Sequence, residues 1–363
     1  MATLGSAFCA VGQPVASQAA ELIRVNGMPL FLNGMNLAWL SFASDLEYFN
    51  EARFKKAVSQ VAAAGGNTIR WWLHTNGSVT PQFDSATGLV SGNSAQSLAN
   101  LRKALDDAAA QGVGLILCLW SFDMLQTKEN GVNTTRNLSI LRTDQGLQAF
   151  IDNSLVPMVR AVKGHPGIIA WEVFNEPEGM CGGFGWTPVR IQIRDVQRVV
   201  NRVAGAIHRE APGSLVTNGT WSFRALSDVD GFTNYYRDDR LIAAGGDADG
   251  TLDFYSVHYY PQHQDDSVSP FSNPKSYWGL DKPVVVGEFP AAGIVDLGTG
   301  FMASQRLSPV QAFTSAYDGG YAGALGWTWT AHDGLGGLPE AAPGISALAA
   351  EHPDFIRVKA AQP

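Results

Sequence analysis

Cysteine is scarce in this chain, with Cys9, Cys118 and Cys181 the only three among 363 residues. Three thiols so far apart build no disulfide framework, although they leave a Cys9–Cys181 bridge open. Cys118 sits inside the apolar run GVGLILCLW and reads as a small buried hydrophobe. The seven histidines are scattered and no Cys-x-x-Cys spacing occurs, so no metal site is expected. Charge is also sparse, at 16% of residues, and its balance is negative, with a formal net charge of −8. That excludes nucleic acid and anionic membrane as main partners and leaves a neutral polymer as a suitable one. No run is long and apolar enough to span a bilayer. No Lys or Arg precedes Arg24, so the first twenty residues do not read as a signal peptide. Their Gly, Ser, Ala and Gln show no periodicity, and residues 1–20 are expected to be a disordered lead or processing remnant.

What the chain does have is apolar and aromatic mass: 45% hydrophobic residues, 10% aromatic, and ten Trp. Short β-branched runs alternate with amphipathic segments from end to end, which predicts a parallel sheet covered by helices. The expected strands are 30–36, NTIRWWLH, 113–120, IIAWEVFN, SLVTNG, TLDFYSVHYYP, KPVVVGEFP and 323–330. Helices are expected over 51–64, 95–110, 144–163, 188–210, 237–243 and 308–318. Eight strands predict an α/β fold, a (β/α)8 TIM barrel occupying residues 21–363 as one catalytic domain. The turn Asn26-Gly27 predicts an N-terminal β-hairpin ahead of the first barrel strand. No internal repeat or low-complexity linker is present.

The stretch IIAWEVFNEPEG, residues 168–179, organises the rest. An apolar run reads as a buried strand, and Asn175-Glu176-Pro177 ends it because proline removes a ladder donor. The run KPVVVGEFP ends in the same manner around Glu288. Two carboxylates at the ends of two buried parallel strands suit retaining glycoside hydrolysis, one as acid/base and one as nucleophile. Arg70 follows Ile69 near the end of another strand, where a buried guanidinium must find a carboxylate. His258 and Tyr260 alternate and so share a strand face.

These segments, together with FLNGMNLAW, GGNTIRWWLHTNG, GTLDFYSVHYY and GWTWT, resemble glycoside hydrolase family 5 of clan A, and within it the endo-β-1,4-mannanases. The resemblance runs from about Arg24 to the end of the chain. It implies Glu176 as acid/base, Glu288 as nucleophile, and Asn175 bonded to the sugar 2-hydroxyl. It further implies that Arg70 pairs with Glu288, that Tyr260 donates to Glu288, and that His258 lines the subsite around the acid/base. Trp329 is expected to floor the subsite of the cleaved sugar, in preference to Trp327. His74, Trp120, Trp221 and Trp186 are further candidates for contact with substrate. Many members of the family carry a histidine where this chain has Trp120, a departure that weighs against a cellulase.

The expected activity is retaining endo-hydrolysis of β-1,4-mannosidic bonds in mannan, glucomannan or galactomannan. No cofactor is needed. An endo-β-1,4-glucanase with the same mechanism and a non-catalytic carbohydrate-binding barrel are the alternatives. The expected partner is a β-mannan polysaccharide, with neither nucleic acid nor membrane, and the protein is expected to be a monomer. Export follows from substrate size, since a cell cannot take in an intact polysaccharide.

Overall fold

The computed structural model describes residues 22–25, 27–127, 131–298 and 300–356. Cys9, Asn26 and the expected lead over 1–20 lie outside the described residues. The hairpin pairs β1 (Ile23–Val25) with β2 (Met28–Leu30) in antiparallel register. Eight further strands then alternate with helices. They are β3 (Leu32–Asn36), β4 (Thr68–Thr75), β7 (Gly114–Ser121), β8 (Ile168–Asn175), β9 (Leu215–Thr220), β10 (Tyr255–His258), β11 (Val284–Pro290) and β12 (Gly323–Trp327). All pair in parallel and close in the order β10-β11-β12-β3-β4-β7-β8-β9, so the chain forms the expected (β/α)8 barrel. Two short strands, β5 (Gln82–Phe83) and β6 (Val90–Gly92), form a small hairpin in the loop after β4.

The two ends of the barrel differ in chemistry. At the N-terminal end, Ile23 and Leu30 of the hairpin join an apolar cluster with Ile116, Ile169, Phe254, Val285 and Leu325, which plugs the bottom. At the C-terminal end, the ladders shift register. The shifts fall between Glu172 and Asn175 on β8, Val257 and His258 on β10, and Val286 and Phe289 on β11. Irregularities of this kind re-aim side chains at barrel rims. Here they fall on the strands that carry Asn175, His258 and Glu288.

The helices follow their sequence signals. Asn50 caps Glu51–Ala63 by accepting from the Arg53 N–H, and Phe54, Val58 and Val61 face the barrel. Two expectations need correction. The helix expected over 188–210 begins only at Ile193, because Gln192 and Asp195 form its capping box while Ile191 pairs with Cys181. The strand expected over 323–330 stops at Trp327. Helices Thr134–Arg142 and Leu338–Glu351 were not legible, the second carrying Pro343 inside it.

If the bottom cluster carries stability and not chemistry, Phe254→Ala should cost about 3–5 kcal/mol. Urea unfolding measures that loss, and kcat should remain at the wild-type value in the surviving folded protein.

Candidate active site

Burying a guanidinium without partners is prohibitive, and Arg70 on β4 is fully buried with all five of its N–H donors accepted. Nε reaches both Glu172 oxygens at 3.0 Å, and Nη2 reaches Glu172 Oε1 at 2.5 Å and Asn175 Oδ1 at 2.9 Å. Nη1 donates to Asn36 Oδ1 at 2.9 Å and to Glu288 Oε1. The resemblance implied the Glu288 contact. It did not reveal Glu172 or Asn36, both fully buried. Glu172 carried a signal: a charge inside the otherwise apolar run IIAWEVFN must meet an opposite charge in the core. Gly219 leaves room for this pair, since a Cβ there would lie 2.8 Å from Glu172 Oε1 and 3.0 Å from Arg70 Nη2.

Glu288 receives a second donor, the Tyr260 hydroxyl, at 2.7 Å from Oε2. Burial pushes the Tyr260 phenol well above its ordinary range, so it stays a donor. Burial also raises the Glu288 carboxyl, while His258, Arg70 and the Tyr260 bond pull it back toward ionisation. Glu176 lacks such counterweights in direct contact. Burial pushes it up to about 7, with Arg70 opposing and Glu172 adding to the rise. Two carboxyls in one cleft are thus set apart, one suited to hold a proton and one suited to hold charge.

Glu176 follows Asn175 directly, yet both reach the cleft, because Glu176 adopts left-handed backbone angles (φ 45°, ψ 52°). That conformation breaks the two-residue alternation of the strand and is disfavoured for a residue with a Cβ. His258 Nδ1 lies 2.9 Å from Glu176 Oε1 and 3.5 Å from Glu288 Oε2. Burial lowers its pKa to about 4, so it is a neutral ring set between the two carboxyls. One Glu176 oxygen, one His258 nitrogen and one Glu288 oxygen lie within 4.8 Å of one another. They are close enough to hold a cation, but Glu288 already accepts from Arg70 and Tyr260, and His258 Nδ1 is engaged with Glu176.

The cleft above them has a volume of about 820 Å³ and includes Asn175, Glu176, Tyr260 and Glu288 in its lining. Aromatic rings form two groups on two arcs of the barrel mouth, one over β12, β3 and β4 and one over β7, β8 and β9. Trp39, Trp72 and Trp327 pack with centroids 5.1–5.8 Å apart at the ends of β3, β4 and β12. Trp186 packs against Trp221 at 6.1 Å and Phe122 at 5.2 Å, in the loops after β8, β9 and β7.

The remaining expected residues divide. Trp221 and Trp186 line the cleft, Trp186 with 41% of its surface exposed. Trp329 does not, and the preference for it over Trp327 is corrected. Because β12 ends at Trp327, Trp329 lies outside the alternation; its Nε1 turns to Gln60 at 3.1 Å with Arg53 over its ring. Trp327 instead faces the cleft and bonds Asp333. Trp120 is buried against His74 at 4.9 Å and Phe150 at 5.1 Å, away from the cleft lining. His74 is a satisfied core histidine: Nδ1 meets Thr80 Oγ1 at 2.9 Å, and burial drops its pKa to about 3. Trp39 and Trp72 were missed as cleft residues, although FLNGMNLAW places Trp39 just past a strand end.

Residues 23–333 match the family described as Cellulase (glycosyl hydrolase family 5). The mannan endo-1,4-beta-mannosidase of Mytilus edulis is 32% identical over 357 residues, 92% of each chain. That of Cryptopygus antarcticus is 34% identical over 325 residues, 83% of this chain and 81% of the relative. The structure of endo-1,4-beta-mannanase from Eisenia fetida superposes with a TM-score of 0.79 at 33% identity, covering 90% of this chain and 93% of that one. The chain belongs to glycoside hydrolase family 5. It is an enzyme that hydrolyses glycosidic bonds, and its barrel mouth is the place to seek the reaction.

In this family 5 enzyme the Arg70 fork should not be replaceable by an ammonium. Arg70→Lys retains the charge but offers three donors in place of five, and kcat should fall at least about 10²-fold. Steady-state rates on a soluble substrate measure that. The pH profile should follow the two carboxyls. If Glu288 works in its charged form, activity rises as pH climbs past its raised pKa. If Glu176 works in its protonated form, activity is lost as pH rises through about 7. Initial rates across pH 4–9 should therefore give a bell, and Glu176→Gln should abolish its alkaline limb along with most of the activity.

Proposed function

We propose that the protein hydrolyses internal β-1,4-mannosidic bonds with retention of anomeric configuration, with Glu288 as nucleophile and Glu176 as acid/base. The observation that carries the mechanism is the approach of the Glu176 and Glu288 oxygens to within 4.8 Å. Retaining pairs stand roughly 5–5.5 Å apart, whereas inverting pairs leave about 6.5–9.5 Å for a water. Glu288 attacks C1 while protonated Glu176 gives its proton to the departing oxygen, which leaves with the bonding electrons. Water then enters, Glu176 takes back a proton, and the new C–O bond releases Glu288.

Arg70 and Tyr260 hold Glu288 in its attacking orientation and stabilise its charge before attack. Asn175 has its carbonyl fixed by Arg70 and one amide donor on Ser121 Oγ at 3.4 Å, so its other amide donor is left for the sugar 2-hydroxyl. Because the acid stands beside the leaving group, Trp186 and Trp221, which follow its own strand and the next, hold the departing sugars. Trp327, on the strand next to the nucleophile's, supports the sugar that is cleaved. Aromatic walls on both arcs suit a chain bound on each side of the scissile bond.

The mannan reading is supported by the relatives, whose names specify endo-1,4-mannan cleavage at high coverage. A polysaccharide of that size is met outside the cell, which makes secretion the matching localisation, and one barrel mouth is sufficient as a monomer. The second reading is endo-β-1,4-glucanase, favoured by the family description's own word, cellulase. Reducing-sugar release on mannan, glucomannan and carboxymethyl-cellulose distinguishes them. We expect kcat/KM at least about tenfold higher on mannan-type chains, a difference of roughly 1.4 kcal/mol in transition-state binding. Equal or faster cellulose cleavage would overturn the substrate reading. Early products should be a spread of oligosaccharides with the β-anomer first by NMR; α-anomer first would sink retention.

A further inference from the structure

Glu178 is fully buried two residues after Glu176, yet the proposed reaction has no step for it. Both of its oxygens are engaged. The Tyr236 hydroxyl donates to Oε1, and the Trp221 backbone N–H donates to Oε2 at 3.2 Å. Tyr236 precedes the helix Asp238–Gly245, and Asn218 of β9 lies beside its phenol. Trp221 is tied from a third side, its carbonyl accepting from Gln264 Nε2 at 2.8 Å. One residue further on, the Gly179 carbonyl accepts from Trp186 N at 2.9 Å, Thr187 N at 3.1 Å and Arg190 Nη1 at 2.9 Å. The turn that carries Glu176 and the two rings Trp186 and Trp221 are therefore joined through residues 178 and 179.

A buried carboxyl is costly, and an amide or apolar side chain of equal volume would pack as well. What the carboxyl offers uniquely is an acceptor at each oxygen, and here two donors from two different elements meet it. Glu176 also needs such support. Left-handed backbone angles at a non-glycine residue cost on the order of 1–3 kcal/mol and persist where the surroundings over-determine them.

We propose that Glu178 is a positioning residue that, with Tyr236, couples the acid/base turn to the Trp221 wall, so that sugars seated on that wall align Glu176 with the departing oxygen. The proposal rests on the reading of Glu176 as the acid. Burial pushes the Glu178 carboxyl up to about 7, while the bonds from Tyr236 and the Trp221 N–H pull it back toward the ionised, acceptor form.

Leaving-group dependence tests this. Glu178→Gln keeps volume but sets an amide donor against one of the two donors it faces. On a manno-oligosaccharide, whose leaving oxygen needs the proton, kcat/KM should fall about 10–100-fold. On a dinitrophenyl β-mannobioside, whose leaving group needs neither proton nor wall, it should fall less than about threefold. Tyr236→Phe should show the same selectivity with smaller amplitude. The ratio of the two substrates on one preparation does not depend on the folded fraction, so instability of a variant cannot mimic the effect. Parallel losses on both substrates, or no loss on either, would overturn the proposal. Glu176→Ala separates the two readings. If it spares the activated substrate while Glu178→Gln does not discriminate, only the coupling fails. If Glu176→Ala itself loses both substrates equally, the acid assignment fails.

Discussion

Everything at the barrel mouth depends on the burial of one guanidinium. Arg70 takes acceptors from Asn36 on β3, Glu172 and Asn175 on β8, and Glu288 on β11. With its own β4, four of the eight strands are pinned to a single planar fork. Breaking a buried ion pair by removing one partner costs about 3–5 kcal/mol, because the other charge is stranded. The arrangement is therefore worth more as a specification of geometry than as a gain in stability. It fixes which oxygen of Glu288 is committed and which face of Asn175 is free, before any sugar arrives. Such preorganisation is how a site avoids reorganising at the moment of reaction.

The same fork separates the two carboxyls electrostatically. Desolvation raises both Glu176 and Glu288, although Glu176 is only partly buried at the cleft. What differs is the hydrogen-bond supply. Glu288 has a cation on one oxygen and a phenol on the other, whereas Glu176 meets only a neutral imidazole. Placing the cation on one member of the pair sets identical side chains apart, one inclined to hold charge and the other a proton. The left-handed turn at Glu176 then brings its carboxyl to the cleft from a strand position whose neighbour already faces it.

The fold was legible because its signals are local and repeated: β-branched runs, helix caps and strand-ending prolines each act within a few residues. The pairing of Arg70 with Glu288 was legible only through resemblance, since a contact across 218 positions leaves no periodic trace. Glu172 could have been suspected from a charge in an apolar strand, but Asn36 could not, because its role depends on where Arg70 points. The error at Trp329 has a physical source. Alternation places Trp327 and Trp329 on one face only while the strand continues, and β12 stops at Trp327. His74 and Trp120 were misread for a related reason. Standing near a strand end does not determine whether a ring faces the cleft or the surrounding helices, and both rings pack against Phe150.

The division of labour between the barrel ends explains why the site can hold so many unfavourable features. Glu172, Glu178, Asn36 and Arg70 are buried polar groups, and Glu176 adopts an unfavourable backbone conformation. Each is tolerable only if the scaffold beneath does not move in response. The apolar plug of Ile23, Leu30, Phe254 and their neighbours closes the barrel from below. Closure also removes sheet edges, so the strands cannot relax by sliding apart. A register slip of one residue would turn Arg70 outward and strand Glu172 and Glu288 without a counter-ion. The polar network therefore selects the register as strongly as the apolar plug holds it, and the two ends of the barrel specify one structure together.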